Sequence, residues 1–177
     1  MTIIWFALGG FAGLILLVFV IGMFMPERYV GLAQVTYDKS ADDVWTALLD
    51  YDRNPMTGKM KKSVQTQSVE NDLPVWTEEM RSREVITVKT IEADRPQHMV
   101  REMTSISVPM TSRWTYTLEP LGEGCKLTMD GETTIRSGTW HVPIFRVMMK
   151  LGGGVKKGLD IQMDMVAESL GVEAKRG

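Results

Sequence analysis

Hydrophobic positions change their spacing along this chain, and each change marks a different kind of element. From Ile3 to Met25 no side chain is charged. The stretch is apolar on every side, and its roughly 23 residues exceed the about 20 that a helix needs to cross a bilayer core of about 30 Å. It predicts a membrane-spanning helix ended by Pro26 and Glu27-Arg28. A cleaved leader fits less well: Met1-Thr2 has no basic side chain, the apolar core is long, and no Ala-x-Ala pattern closes it. Gly31 to Tyr37 then alternates as a first strand, and Asp38-Lys39-Ser40 turns the chain. Ser40 is a fitting N-cap, with Asp43 as an acidic partner in the first turn of a helix from Ala41 to Leu49. Val44, Trp45, Leu48 and Leu49 hold helical spacing, and Tyr51 to Pro55 forms a bend.

From about Met60 to Ile135 the pattern is β-structure. Six strands are expected at 62–69, 75–81, 84–93, 98–106, 113–119 and 126–135, with hairpin-sized turns between them. Alternation is clear at Trp114, Tyr116, Leu118 and at Leu127, Met129; over 84–93 no inward face can be chosen. After Pro143 the apolar steps become four and three: Ile144, Met148, Leu151, Val155, Leu159, Met163, Val166, Leu170. That is the stripe of one long amphipathic helix of about 27 residues, stopped at Gly171. Gly152, Gly153, Gly154 and Gly158 interrupt it at about 1 kcal/mol each relative to Ala. They mark either close packing on the sheet or a flexible gate.

Four soft motifs stand along this order: Ser40-Ala41-Asp42-Asp43-Val44-Trp45-Thr46-Ala47-Leu48-Leu49-Asp50 with Asn54-Pro55, Arg113 to Pro120 with Gly122 to Leu127, Pro143-Ile144-Phe145-Arg146, and Lys157-Gly158-Leu159. Together they resemble the START-like (SRPBCC) superfamily, the polyketide cyclase/dehydrase and lipid-transport group. The first is similar to its opening helix and the Pro that follows, although Met56 stands where an aromatic is usual. The second resembles its penultimate hairpin, with Cys125 at a usual Thr, and the last two resemble the lead-in to its last helix and the middle of that helix. The resemblance spans about Gly31 to Leu170. It implies an α+β helix-grip (Bet v 1-like) fold, a curved antiparallel sheet around a long C-terminal helix. It also implies a cavity for an apolar small molecule, without choosing one reaction. The expected organisation is an anchor at 1–26, a tether at 27–30, the domain at 31–171 and a tail at 172–177.

Charge and composition narrow the chemistry. A net charge of −2 leaves no clustered basic excess, so no nucleic-acid partner is expected. The single Cys125 excludes an intrachain disulfide and a multi-Cys zinc site. His98 and His141 lie far apart, with no His-x-x-x-His or Cys-x-x-Cys spacing, so no metal is expected. No dinucleotide or Walker loop occurs, and Gly152-Gly153-Gly154 follows no strand, so no cofactor is expected. No catalytic residue is assigned. His141 reads as a loop residue or as an acid/base at a pocket mouth. Glu78, Arg101, Glu102, Tyr116 and Asp130 could face in or out. Lys59, Lys61 and Lys62 read as a solvated loop, or as a cluster that orients the mouth toward anionic lipid. Fourteen methionines serve either ordinary gap-filling or a surface that accepts varied apolar shapes.

The resulting expectation is a single-pass domain that carries or presents a lipid or other apolar small molecule. Its cavity would be lined by Trp76, Met80, Met103, Trp114, Tyr116, Met129, Met148, Leu151 and Val155. The alternatives are a cyclase/dehydratase-type enzyme on a membrane-soluble substrate, and a cavity-free protein-interaction module. Arg28 and Lys39 beyond the apolar stretch, against one terminal amine before it, lean toward a cytoplasmic domain. Gly9 and Gly13 offer a small-xxx-small pair for self-association.

Overall fold

The computed structural model describes residues 2–70, 72–105 and 107–176, without the side chains of 2–9, 11, 66 and 67. Helix α1 (Thr2–Met23) leads into strand β1 (Arg28–Tyr37), then α2 (Ala41–Leu49) and a single 3-10 turn (Gly58–Met60). Six strands follow: β2 (Lys61–Glu70), β3 (Leu73–Met80), β4 (Val85–Asp94), β5 (His98–Ser105), β6 (Met110–Leu121) and β7 (Gly124–Ile135). Helices α3 (Val142–Leu151) and α4 (Gly154–Leu170) close the chain. The strands form one antiparallel sheet of seven, in the order β1-β7-β6-β5-β4-β3-β2. Short turns make β2 to β7 a meander, and β1 joins its far edge by pairing Arg28 with Thr134 through to Tyr37 with Cys125. β1 therefore starts inside the 27–30 stretch expected to be a tether.

Local chemistry accounts for most elements. Ser40 and Asp43 form a reciprocal capping box on α2: Asp43 N donates to Ser40 Oγ at 3.2 Å and Ser40 N to Asp43 Oδ2 at 3.3 Å. The helix buries Val44, Trp45 and Leu48, while Leu49 is exposed. The inward row of β6 is Ser112, Trp114, Tyr116 and Leu118, all buried, as period-2 geometry requires. The ambiguity at 84–93 has a cause. Ile86, Val88 and Thr90 face in, but the pairing of β4 with β5 slips between Thr90 and Glu92, so the alternation breaks there.

The single long helix is a misreading. Gly153 (φ +96°) and Gly154 (φ +64°) adopt left-handed backbone, which ends α3 and resets the helical phase before α4. α4 lies across β1 and β7. A Cβ on Gly31 would sit 2.6 Å from Lys156 N, and one on Gly131 2.6 Å from Val155 Cγ1, so glycine lets the helix settle onto the sheet. After Gly171, Lys175 and Thr36 exchange backbone hydrogen bonds of 2.9 and 3.1 Å, adding the tail beside β1.

The expected membrane anchor and single-pass location are corrected here. Among the described residues no helix is long and apolar enough to cross a membrane. α1 is helical over 22 residues and packs against α3. Its end is seated on protein rather than free: Gly22 is buried, and a Cβ there would fall 2.0 Å from Pro143 O at the start of α3. The side chains around Gly9 lie outside the described residues, and Gly13 has nothing within 4 Å of its Cβ position.

A polar latch fixes the junction. Arg146 of α3, 4 % exposed, donates through Nη2 to Glu27 Oε1 at 2.7 Å and to Ile135 O at 2.7 Å. Ser137 Oγ donates to the same Glu27 oxygen at 2.8 Å. The Ser137 and Arg146 hydrogen bonds hold the Glu27 carboxyl below its ordinary value. A depressed folded pKa gives stability that is present above the unfolded value of about 4.3 and lost as pH falls through the lower folded one. Urea midpoints at pH 7 and pH 3 should therefore drop further for the native chain than for Glu27→Gln. Equal drops would mean the latch contributes nothing.

Candidate functional site

The sheet, the α3–α4 break and the 56–60 segment enclose a cavity of about 530 Å³. Its floor is the inward row of the central strands: Met80, Ile86, Met103, Ser112, Trp114 and Thr133. Phe145 and Met149 of α3 and Val155 and Ile161 of α4 roof it, and Gly152, Gly154 and Gly158 leave room beside them. Met56 and Met60 form a side wall. Seven methionines line it in all, with Met110 and Met148. Unbranched thioethers reshape at little cost, so this wall suits an apolar guest of variable form.

Polar groups at the lining are few and mostly occupied. Ser112 Oγ and Thr133 Oγ1 pair at 2.8 Å. Glu84, half-buried, accepts from the Ser105 hydroxyl and from Ser107 Oγ at 2.6 Å. Trp114 Nε1 is buried without a hydrogen-bond partner among the described residues. Lys59 and Lys157 stand at the exposed edge.

Two fully buried charges lie beyond the lining. Glu78 of β3 accepts four hydrogen bonds. Oε1 takes Met56 N and Trp76 Nε1, each at 2.9 Å, and Oε2 takes Thr57 N at 2.8 Å and Thr57 Oγ1 at 2.7 Å. A carboxylate this well satisfied is a clamp on the segment that walls the cavity. Arg101 of β5 donates Nη2 to Leu48 O at 2.8 Å, and its guanidinium lies 5.2–5.3 Å from the ring centres of Tyr51, Trp76 and Tyr116. Tyr51 and Trp76 stack at 4.0 Å. Tyr116 donates to Gln162 Oε1 at 2.8 Å. Burial pushes its phenol up, against the pull of the Arg101 charge. This aromatic cage solvates the cation in place of water.

Of the expected lining, Met80, Met103, Trp114, Met148 and Val155 border the cavity. Trp76, Tyr116 and Met129 are buried in the core outside it, and Leu151 is 82 % exposed, turned out by the phase reset at Gly153. Met110 and Ser112 escaped the sequence reading although they continue the inward row of Trp114; the same alternation would have found them. Met56, Met149 and Ile161 carry no periodic signal. His141 Nε2 contacts Thr139 Oγ1 and Ser107 O at 3.2 and 3.3 Å, and His98 lies 3.7 Å from Glu92. Neither lines the cavity. Asp130 is exposed and Glu102 half-buried. Among the described residues no three His, Cys, Asp or Glu side chains are grouped to hold a metal ion.

The sequence family described as polyketide cyclase/dehydrase and lipid transport matches residues 33–170. The chain belongs to this polyketide cyclase/dehydrase family. No curated protein matches it in sequence. Solved structures share its helix-grip fold. An aromatase/cyclase of a Streptomyces species aligns with a TM-score of 0.65 at 14 % identity, over 80 % of this chain and 93 % of its own. Norcoclaurine synthase from Thalictrum flavum, in truncated form, aligns at 0.59 and 14 % identity, over 81 % and 93 %. A conserved protein from Geobacillus kaustophilus aligns at 0.60 and 13 %, over 81 % and 95 %. At such identities the likeness is one of fold, and the family's cavity is where this chain's own residues must be read.

Proposed function

We propose that this domain binds an apolar small molecule in the methionine-lined cavity and holds it for transfer or presentation. One observation carries the reading: every lining residue that is itself buried is uncharged. Glu78 and Arg101, the buried charges that could have served chemistry, are engaged with the 56–57 segment, Leu48 and the aromatic cage instead. Burying about 300 Å² of a ligand's apolar surface contributes roughly 7 kcal/mol at about 25 cal/mol per Å², before the ordering cost of binding.

Native mass spectrometry of the full chain purified from its host tests this. A co-purifying apolar molecule is expected, and Ser112→Trp, which projects a large ring into the cavity, should abolish it. Repeated recovery of an empty protein that also refuses added lipids would count against the proposal. Glu84 supports a second, cyclase-type reading, because it is the one carboxylate at the lining among the described residues. That reading gains if Glu84→Gln keeps the bound molecule but stops its conversion.

A further inference from the structure

The cavity's mouth differs in charge from its interior. The exposed lining residues are Lys59, Met60, Met148, Gly152 and Lys157, and these mark the rim. Both charges there are cations, and they come from different elements. Lys59 sits in the 3-10 turn and Lys157 in the first turns of α4. A Cβ on Gly58 would lie 3.1 Å from Ile161 Cγ2, so the turn abuts α4 at Ile161. Ile161 is four residues after Lys157 and shares its helix face. The two lysines therefore flank one gap.

Neither ammonium has an ion-pair or hydrogen-bond partner among the described residues; Lys39 and Lys150, away from the lining, share this, whereas Lys61, Lys62, Lys89, Lys126, Lys156 and Lys175 each face a carboxylate. The Lys157 stem is also directed. It packs over the α3–α4 break so closely that a Cβ on Gly153 would lie 2.8 Å from its Cδ. Glu84, the remaining charged lining residue, accepts from Ser105 and Ser107.

We propose that the ligand is an anionic amphiphile. Its apolar body lies among the methionines, and its acidic head, a carboxylate or phosphate, sits between Lys59 and Lys157. The inference rests on the cavity-binding reading above. A charged head is costly to bury but favourable at a solvated cationic rim beside a low-dielectric wall.

Calorimetric titration of the full chain with dodecanoate, dodecyl phosphate and methyl dodecanoate separates the cases. At least one acid should bind more tightly than the ester by about tenfold, inside the range two surface ion pairs give. The Lys59→Gln/Lys157→Gln double variant should lose that preference and keep its ester affinity, and salt should weaken only the acids. The larger of the two gains identifies the head group. Equal binding of acids and ester, or a preference that survives in the double variant, overturns the head-group assignment and leaves the cavity reading standing. Failure of all three to bind removes both.

Discussion

Glu78→Ala is expected to destabilise the protein by about 3–5 kcal/mol, the range for breaking a buried charged network. The carboxylate is fully buried and accepts from Met56 N, Thr57 N, Thr57 Oγ1 and Trp76 Nε1. Removing it leaves four donors without partners, each with a desolvation cost of about 1–3 kcal/mol that relaxation only partly recovers. Glu78→Gln should cost less, since one oxygen remains, but its amide would face donors with donors. Urea unfolding of the two variants checks the order. The loss should extend to the cavity, because Met56 and Thr57 are lining residues held in place by this carboxylate. A cost under about 1 kcal/mol for Glu78→Ala would show that the segment holds itself.

Gly153→Ala combined with Gly154→Ala is the second large effect. Left-handed backbone costs an L-residue about 1–2 kcal/mol, and both positions have it. At Gly153 the new Cβ would also meet Lys157 Cβ at 2.9 Å and Cδ at 2.8 Å. The pair should lose about 2–4 kcal/mol, or relieve the strain by straightening α3 onto α4. Straightening would carry Phe145 and Met149 off the cavity, so ligand affinity should fall about tenfold or more. Gly138→Ala is the control: it has nothing within 4 Å and no positive φ. Unfolding curves and binding isotherms measure both effects. A double variant with native stability and native affinity would sink the claim that this break shapes the site.

These two sites also separate what could be read along the chain from what could not. The α2 capping box was legible because Ser40 and Asp43 are three residues apart and act on the same backbone turn. The inward rows of β6 and β7 were legible because a pleated strand alternates whatever it packs on. The stripe through Leu151 misled because a change of backbone conformation at Gly153 and Gly154 leaves no trace in hydrophobic spacing. The four partners of Glu78 come from positions up to 22 residues away, and Arg146 meets Glu27 across 119 residues. Such contacts depend on which strands become neighbours.

The apolar run of α1 follows the same division. Its composition dictated a helix, but the close approach of Gly22 to Pro143 depends on where that helix lands. The sequence by itself determined the element types, the meander and the family, because propensity, capping and periodicity act over a few residues. The tertiary structure alone decided which methionines share a cavity, which face of α3 turns toward it, and which two lysines stand at its rim, because those arise from non-local packing.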